Sequence, residues 1–223
     1  MYMYSTSNAH IIFTGKDDSL ELSGKGLGHA VVLKLLEGLE DKGHHVYLDN
    51  WYSSPALFDD LHSKGFGACG TVRLNRKGLP QIIKSKHKMK KHTMVSGTTG
   101  KSLAMVWMDK RAVAMLSTIH DDSTVPISRR SGEATGGVEV VSKPLCIDQY
   151  NHFMNGVDRH DQLTSYYGFS HRSKKWWKRG FFHLIEMAIV NAHILYALHT
   201  KQVKQKPLTH KMFRKELAQQ LLV

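Results

Sequence analysis

Between Lys143 and Lys178 the sequence reads KPLCIDQYNHFMNGVDRHDQLTSYYGFSHRSKKWWK, and its residue types change twice. Ile147, Tyr150, Met154, Val157 and Leu163 recur near helical spacing, with a step at Gly156. Asp158 and Asp161 lie three apart, so a helix puts both carboxylates on one face. Arg172-Ser-Lys-Lys-Trp-Trp-Lys-Arg179 then mixes cations with aromatic rings. Carboxylates beside cations and aromatics suit a metal-dependent site that handles a polyanion. Phosphodiester chemistry is often run by two divalent cations, one activating the attacking oxygen and one steadying the leaving oxygen. Mg²⁺ takes oxygen ligands and keeps several waters, so two or three Asp or Glu are enough. Mn²⁺ suits the same ligands. Asp49, at the end of an apolar run, and Asp158 are suitable donors, and Asp161 is a third. The ordinary alternative makes Asp158 and Asp161 surface residues that balance Arg159 and His160, and spacing alone favours it.

Other chemistries have less behind them. The 15 histidines are scattered, and none shows familiar paired-ligand spacing for zinc. Cys69 and Cys146 form no CxxC and no disulfide framework, a usage that suits a reducing compartment. No nucleophile elbow is present. Ser23-Gly-Lys-Gly-Leu-Gly28 alternates glycines but follows no clear strand, so a dinucleotide fold is poorly supported.

The elements that must position these residues can be read in order. His10 to Thr14 predicts a strand, although little chain precedes it to supply a neighbour. Leu27 to Asp41 predicts an amphipathic helix ended by Gly43. His45 to Asp49 predicts a buried central strand finishing in a carboxylate. A helix from Pro55 to Lys64 follows, capped by Ser53 or Ser54, and then a strand from Gly67 to Arg73. This order predicts α/β layering with Asp49 at the carboxyl end of a strand, where functional residues of open sheets often sit. Leu74 to Lys101 is polar and basic. It reads as a loop that is either a solvated surface or a DNA-tracking strip. Ser102 to Asp109 and Ala112 to Thr118 predict a hairpin, His120 to Gly137 a polar loop, and Val138 to Val141 a short strand. After Gly180, the residues Phe181, Ile185, Ala188, Ile189, Ala192, Leu195 and Tyr196 predict the buried face of a core helix. Trp176 and Trp177 are expected to pack beside it, with base stacking the alternative. Thr209 to Leu222 predicts a short terminal helix with Thr209 as its cap.

The chain has 223 residues, 41% hydrophobic, which suits a globular domain with a sizeable core. Its net charge is +12, which favours a polyanionic partner, nucleic acid before acidic membrane. Phe181 to Leu198 is the most apolar late stretch, but His183, Glu186, Asn191 and His193 interrupt it, so no membrane span is expected. No secretory signal opens the sequence.

Several strings, taken together, resemble the piggyBac transposase family. They are Asp49-Asn-Trp-Tyr-Ser-Ser-Pro, Gly67-Ala-Cys-Gly-Thr-Val-Arg-Leu-Asn-Arg-Lys-Gly78, Val106-Trp-Met-Asp-Lys110 with Met115-Leu-Ser-Thr118, and Tyr150-Asn-His-Phe-Met-Asn-Gly-Val-Asp-Arg-His-Asp-Gln162. Lys174-Lys-Trp-Trp-Lys-Arg and Asn191-Ala-His-Ile-Leu-Tyr196 continue the match in family order, from about Ile11 to Leu222. The resemblance implies an α/β fold with an RNase H-like catalytic core, incomplete at its N-terminal strand and interrupted by a small β-rich insertion. It divides the chain into residues 1–73 and 143–223 of the core, with a basic loop and insertion at 74–142. It implies DNA cut-and-paste chemistry by three catalytic aspartates with Mg²⁺ or Mn²⁺. Asp49 matches the second, Asp158 the third, and Asp161 a further aspartate close behind it. The segment around Gly28 resembles the one leading into the helix before the second aspartate. DNA contacts are expected from Arg73, Arg76, Lys77, Arg172, Lys174 and Lys175. A homodimer and a nuclear location are further expectations, the latter aided by the lysine-rich run from Lys84 to Lys91.

The family's first aspartate lies on a strand just ahead of His10 to Thr14, and no residue here matches it. Asp17 and Asp18 fall in the following turn and are poor substitutes. The N-terminal DNA-binding region and the cysteine-rich zinc-binding tail of the family also have no counterpart in this sequence. The expected result is an unshared carboxylate cluster and an unpaired sheet edge. Three functional readings follow. The chain is a transposase-derived protein that binds DNA without strand transfer and in that case needs no cofactor, or a piece of a longer active transposase, or a domesticated protein-interaction module.

Overall fold

The computed structural model of the protein describes the backbone of residues 2–5 and 10–13, and residues 24–84, 89–130, 137–168 and 173–222. The chain divides into two compact units, Met1–Asn155 and Gly156–Val223.

In the first unit, β1 (Tyr2–Ser5) and β2 (His10–Phe13) pair antiparallel, with Tyr2 opposite Phe13. The expected strand at His10 therefore takes its neighbour from the few residues before it. These two strands form a sheet of their own. α1 (Leu27–Leu35) is shorter than the apolar pattern predicts. Gly38, at φ +82°, turns the chain before Leu39, which still packs on the core. β3 (His45–Leu48), α2 (Pro55–Ser63) and β4 (Gly67–Thr71) follow. Ser54 is the cap of α2, its hydroxyl accepting the Leu57 N–H at 3.3 Å.

The basic segment after β4 is not all loop. It contains the short α3 (Gln81–Lys84) and β5 (Met94–Thr99). β6 (Ser102–Met108) and β7 (Ala112–Ser117) form the expected hairpin. β8 (Thr124–Arg130) occupies part of the segment expected to be a polar loop, and it pairs with β9 (Val138–Pro144). α4 (Leu145–Phe153) closes the unit.

The main sheet has the order β3-β4-β7-β6-β5, with β3 and β4 parallel and the other pairs antiparallel. Element order predicts a central position for β3. Among the described residues its one partner is β4. Side chains alternate across the sheet as a period of two requires. Leu48, Ala68, Ala104, Val106 and Leu116 pack with Val32, Leu57, Phe58 and Leu61 of α1 and α2. Cys69, Met105, Trp107 and Met115 face the other way, onto Cys146, Ile147 and Tyr150 of α4. Leu57, Phe58 and Leu61 are fully buried, and each contributes about 2–3 kcal/mol of apolar transfer. Burial pushes the Cys69 thiol up to about 12 and also raises that of Cys146, so both are packing residues at neutral pH.

The second unit holds α5 (Gly156–Tyr166), α6 (Trp176–Gln202) and α7 (His210–Leu221). Thr209 caps α7, accepting the Met212 N–H at 3.4 Å. The buried face of α6 is not the one expected. Glu186, Met187, Val190 and Thr200 are buried, whereas Phe181 and Leu195 are 57% and 67% exposed. An ion pair sets this choice: Arg214 of α7 donates to both carboxylate oxygens of Glu186, at 2.6 and 2.9 Å. The Phe213 ring adds contacts at 5.3 Å to His193 and to Tyr196. α6 has 27 residues and a mean hydropathy of 1.5 over its most apolar 18-residue window, enough by length and composition to cross a bilayer. Its buried, ion-paired Glu186 marks it instead as a helix packed on α7.

His210 is buried beside His193 (ring centroids 5.0 Å) and Tyr167 (5.3 Å), and neither of its ring nitrogens has a hydrogen-bond partner. Burial first, then His193 and Arg214, hold its pKa below the ordinary 6.5, against the opposing pull of Glu186. The unfolded chain therefore takes the proton more readily than the folded one. The stability tied to His210 is complete above pH 6.5 and declines as pH falls below it. The midpoint of thermal unfolding should drop between pH 6.5 and 5, and His210→Gln should blunt the drop. An equal drop in the variant would remove His210 as its source.

Candidate metal and nucleic-acid site

Asp49 sits immediately after β3, in a turn that neighbouring residues hold from several sides. Its carbonyl accepts the Tyr52 and Ser53 N–H groups, each at 3.1 Å, and the Ser53 hydroxyl at 3.0 Å. Ser53 is fully buried, so it anchors the turn rather than capping α2. The Asp49 carboxylate is exposed. Its Oδ1 accepts the Asn50 N–H at 2.6 Å and lies 3.5 Å from the Thr71 hydroxyl. These contacts fall on one oxygen and leave Oδ2 open, among the described residues, to a hard cation.

Two arginines of the 73–77 segment hold the same turn. Arg73 Nε donates to Asn50 Oδ1 at 3.1 Å. Arg76 Nη2 donates to the carbonyls of Asn50 at 3.3 Å and Trp51 at 2.5 Å. Both were expected as DNA contacts, and their guanidiniums are here bonded to the turn that carries Asp49. Lys77 is exposed. Gly70 of β4 admits this close approach, because a Cβ there would lie 2.5 Å from the Leu48 carbonyl oxygen and 2.6 Å from the Ser53 hydroxyl. Gly28 plays a similar part on α1. A Cβ at that position would meet the Trp51 ring at 3.0 Å, so the glycine lets α1 and the Asp49 turn touch. Sequence reasoning missed these supports. The shared clue was small residues beside DNWYSS and GTVR strings, which spacing alone does not connect.

Asp158 and Asp161 lie on α5, three residues apart, and both are exposed. Asp158 is in the first turn, where the helix N-terminus favours a carboxylate. Asp161 has the His160 ring nitrogen at 4.0 Å. Asp49 belongs to the first unit and these two to the second. Within neither unit do three described His, Cys, Asp or Glu side chains gather into a metal-holding group. Exposed carboxylate oxygens without buried partners are nonetheless the donor type that Mg²⁺ and Mn²⁺ prefer.

Lys174 and Lys175, just before α6, are exposed. Trp176 and Trp177 are 60% and 53% exposed, which differs from the expected packing role. Lys175 and Lys178 lie 6.0 and 5.7 Å from the Trp177 ring centroid, so cations and an aromatic face are presented together. Arg172 lies outside the described residues, as do Lys86 and Lys88 of the lysine-rich run.

A family model described as Transposase IS4 matches residues 8–193. Human PiggyBac transposable element-derived protein 3 is 31% identical over 215 residues, covering 92% of this chain and 35% of that protein. Human PiggyBac transposable element-derived protein 2 is 27% identical over 194 residues, covering 84% and 32%. The chain thus spans about a third of the length of these curated relatives. Among solved structures, a piggyBac transposase in a synaptic complex with hairpin DNA superposes with a TM-score of 0.76 and 24% identity, over 93% of this chain and 41% of that one. The likeness identifies the mixed α/β arrangement as the RNase H-like fold of that transposase. With matching motifs, family model and fold in agreement, the chain belongs to the Transposase IS4 family, among its piggyBac-derived members.

Proposed function

We propose that these 223 residues are the DNA-handling core of a piggyBac-type transposase-derived protein, with Asp49, Asp158 and Asp161 as ligands for Mg²⁺ or Mn²⁺. One observation carries the reading. An exposed carboxylate, Asp49, stands on a turn braced by Ser53, Arg73 and Arg76, inside a string that matches the family's second catalytic aspartate. The bound cation would supply charge for phosphodiester chemistry. The chain's own part is to hold it by carboxylates and to draw in DNA by its +12 charge. The proposal for these residues is confined to holding the cation and binding DNA, since Asp49 and Asp158 match the family's second and third aspartates. The same reading makes it a homodimer and places it in the nucleus; a fluorescent fusion confined to the cytoplasm would refute the location.

The solved relative named above is a complex with hairpin DNA, which supports DNA as the partner here. Lys77, Lys174 and Lys175 are the exposed cations suited to phosphate contact, and Trp177 offers a stacking face. Affinity for duplex DNA should fall steeply as salt rises. Lys174→Ala and Lys175→Ala should each lower the slope of log K against log[salt] by about 1. A slope that does not change would remove these lysines from the interface, and binding insensitive to salt would refute the electrostatic account.

Among the described residues β3 is paired on one side only, which favours a second reading, an interaction module that accepts a strand from another protein. A protein that fails to bind DNA but captures an extended peptide along β3 would support it.

A further inference from the structure

α6 and α7 bring together two histidines that sequence spacing does not pair. His193 lies on α6, and His210 is the first residue of α7. Their ring centroids are 5.0 Å apart, with the planes tilted by 33°. The His193 Nε2 lies 3.2 Å from the Leu208 carbonyl oxygen. A carbonyl only accepts, so in the neutral ring Nε2 carries the proton and Nδ1 keeps its lone pair. This Nδ1 is buried and has no hydrogen-bond partner among the described residues, and the same holds for both ring nitrogens of His210. Buried polar groups are nearly always paired with protein, water or an ion, so three orphans in two adjoining rings call for a ligand.

We propose that His193 and His210 hold a divalent transition-metal ion of the zinc class and so clamp the start of α7 onto α6. Three features point to a metal. First, neutral imidazole nitrogen is a donor that suits zinc and copper, and each ring has a lone pair to give. Second, a histidine that binds metal through one nitrogen usually donates its other N–H to a carbonyl or carboxylate, which is what His193 does with Leu208. Third, two imidazoles on one tetrahedral zinc, each with a Zn–N bond of about 2.0–2.1 Å, hold their centroids about 5 Å apart. That spacing is also ordinary for packed rings, so it permits the site, while the unpartnered nitrogens favour it. Arg214 and Glu186 act on the His210 ring with opposite signs, and they are bonded to each other, so their charges largely offset. With two protein ligands among the described residues, water completes the shell from the side on which His193 is only half-buried. The site is separate from the carboxylates of the proposed function, and either can fail without the other.

Calorimetric titration of Zn²⁺ into the chelator-stripped 223-residue protein, with Mg²⁺ in excess to occupy the carboxylates, tests the proposal. One Zn²⁺ per chain is expected, bound at micromolar concentration or tighter. His193→Gln and His210→Gln should each weaken it at least ~100-fold. Free Zn²⁺ at roughly a hundred times its dissociation constant should raise the unfolding midpoint by about 5–10 °C. His210→Cys should keep the site and, loaded with Co²⁺, show a thiolate-to-metal charge-transfer band that the wild type lacks, since the native Cys69 and Cys146 are buried in the first unit. No Zn²⁺ bound in the presence of Mg²⁺ would leave the ring nitrogens to water and overturn the site. Full-strength binding in both glutamine variants would place the zinc elsewhere and overturn it as well. If the glutamine variants do not fold, the cobalt band of His210→Cys decides alone, and a spectrum without it overturns the pair as ligands.

Discussion

Asp49→Asn should weaken Mn²⁺ binding by the DNA-bound protein at least ~100-fold, and Asp158→Asn should do the same, because loss of a metal ligand costs more than loss of its outer supports. Asparagine keeps the size of the side chain and removes its charge. The Asp49 turn should survive, since its carbonyl, not its carboxylate, accepts the Tyr52 and Ser53 N–H groups and the Ser53 hydroxyl. The loss then reports on the ligand and not on folding. Electron paramagnetic resonance of free Mn²⁺ during a titration measures it directly. In any longer polypeptide that contains this segment and cuts DNA, either substitution should abolish nicking. Affinity and nicking unchanged by both substitutions would remove these carboxylates from the site.

Arg214→Ala should be the most damaging single change in the second unit. The Arg214 guanidinium holds both oxygens of Glu186, whose side chain is 4% exposed, and it also donates to the Tyr167 carbonyl at 3.0 Å. Removing it strands a buried carboxylate, at a cost of about 3–5 kcal/mol. In a chain of this length that lowers the unfolding midpoint by roughly 6–20 °C. Replacing both partners by leucine should recover most of the loss, because no charge is then left buried. Thermal unfolding of the single and double variants checks both statements. An Arg214→Ala protein as stable as wild type would show that the pair contributes nothing net.

Local chemistry was the legible part of this sequence. Ser54 and Thr209 cap the helices that follow them, Gly156 interrupts the helical pattern, and the hairpin of β6 and β7 reads off its β-prone residues. Pairing between distant segments was not legible. β3 reads as central because strands alternate with helices, yet strand order depends on partners far along the chain: β4 lies between β3 and β7, and β7 comes more than 40 residues later. β8 was hidden by Pro126 and by an alternation of exposed and half-buried residues that carries little apolar signal. The α6 face was misjudged for a physical reason. The apolar pattern has two stripes, and a charged pair, Glu186 with Arg214, decides which stripe meets α7. The motifs singled out Asp49, Asp158 and Asp161 by resemblance, whereas Arg76, which braces the Asp49 turn, acts through backbone carbonyls that no spacing rule exposes.

The proposed function makes Asp49 and Asp158 each a ligand for a divalent cation. Iron(II) can replace Mg²⁺ on carboxylates and, with ascorbate and peroxide, cuts the polypeptide next to where it is bound. Mapping those cuts on the DNA-bound protein is the most direct test. Cleavage near Asp49 that is lost in Asp49→Asn, and cleavage near Asp158 that is lost in Asp158→Asn, is the predicted result. No cuts near either aspartate, or cuts that persist in its asparagine variant, would contradict its role as a metal ligand.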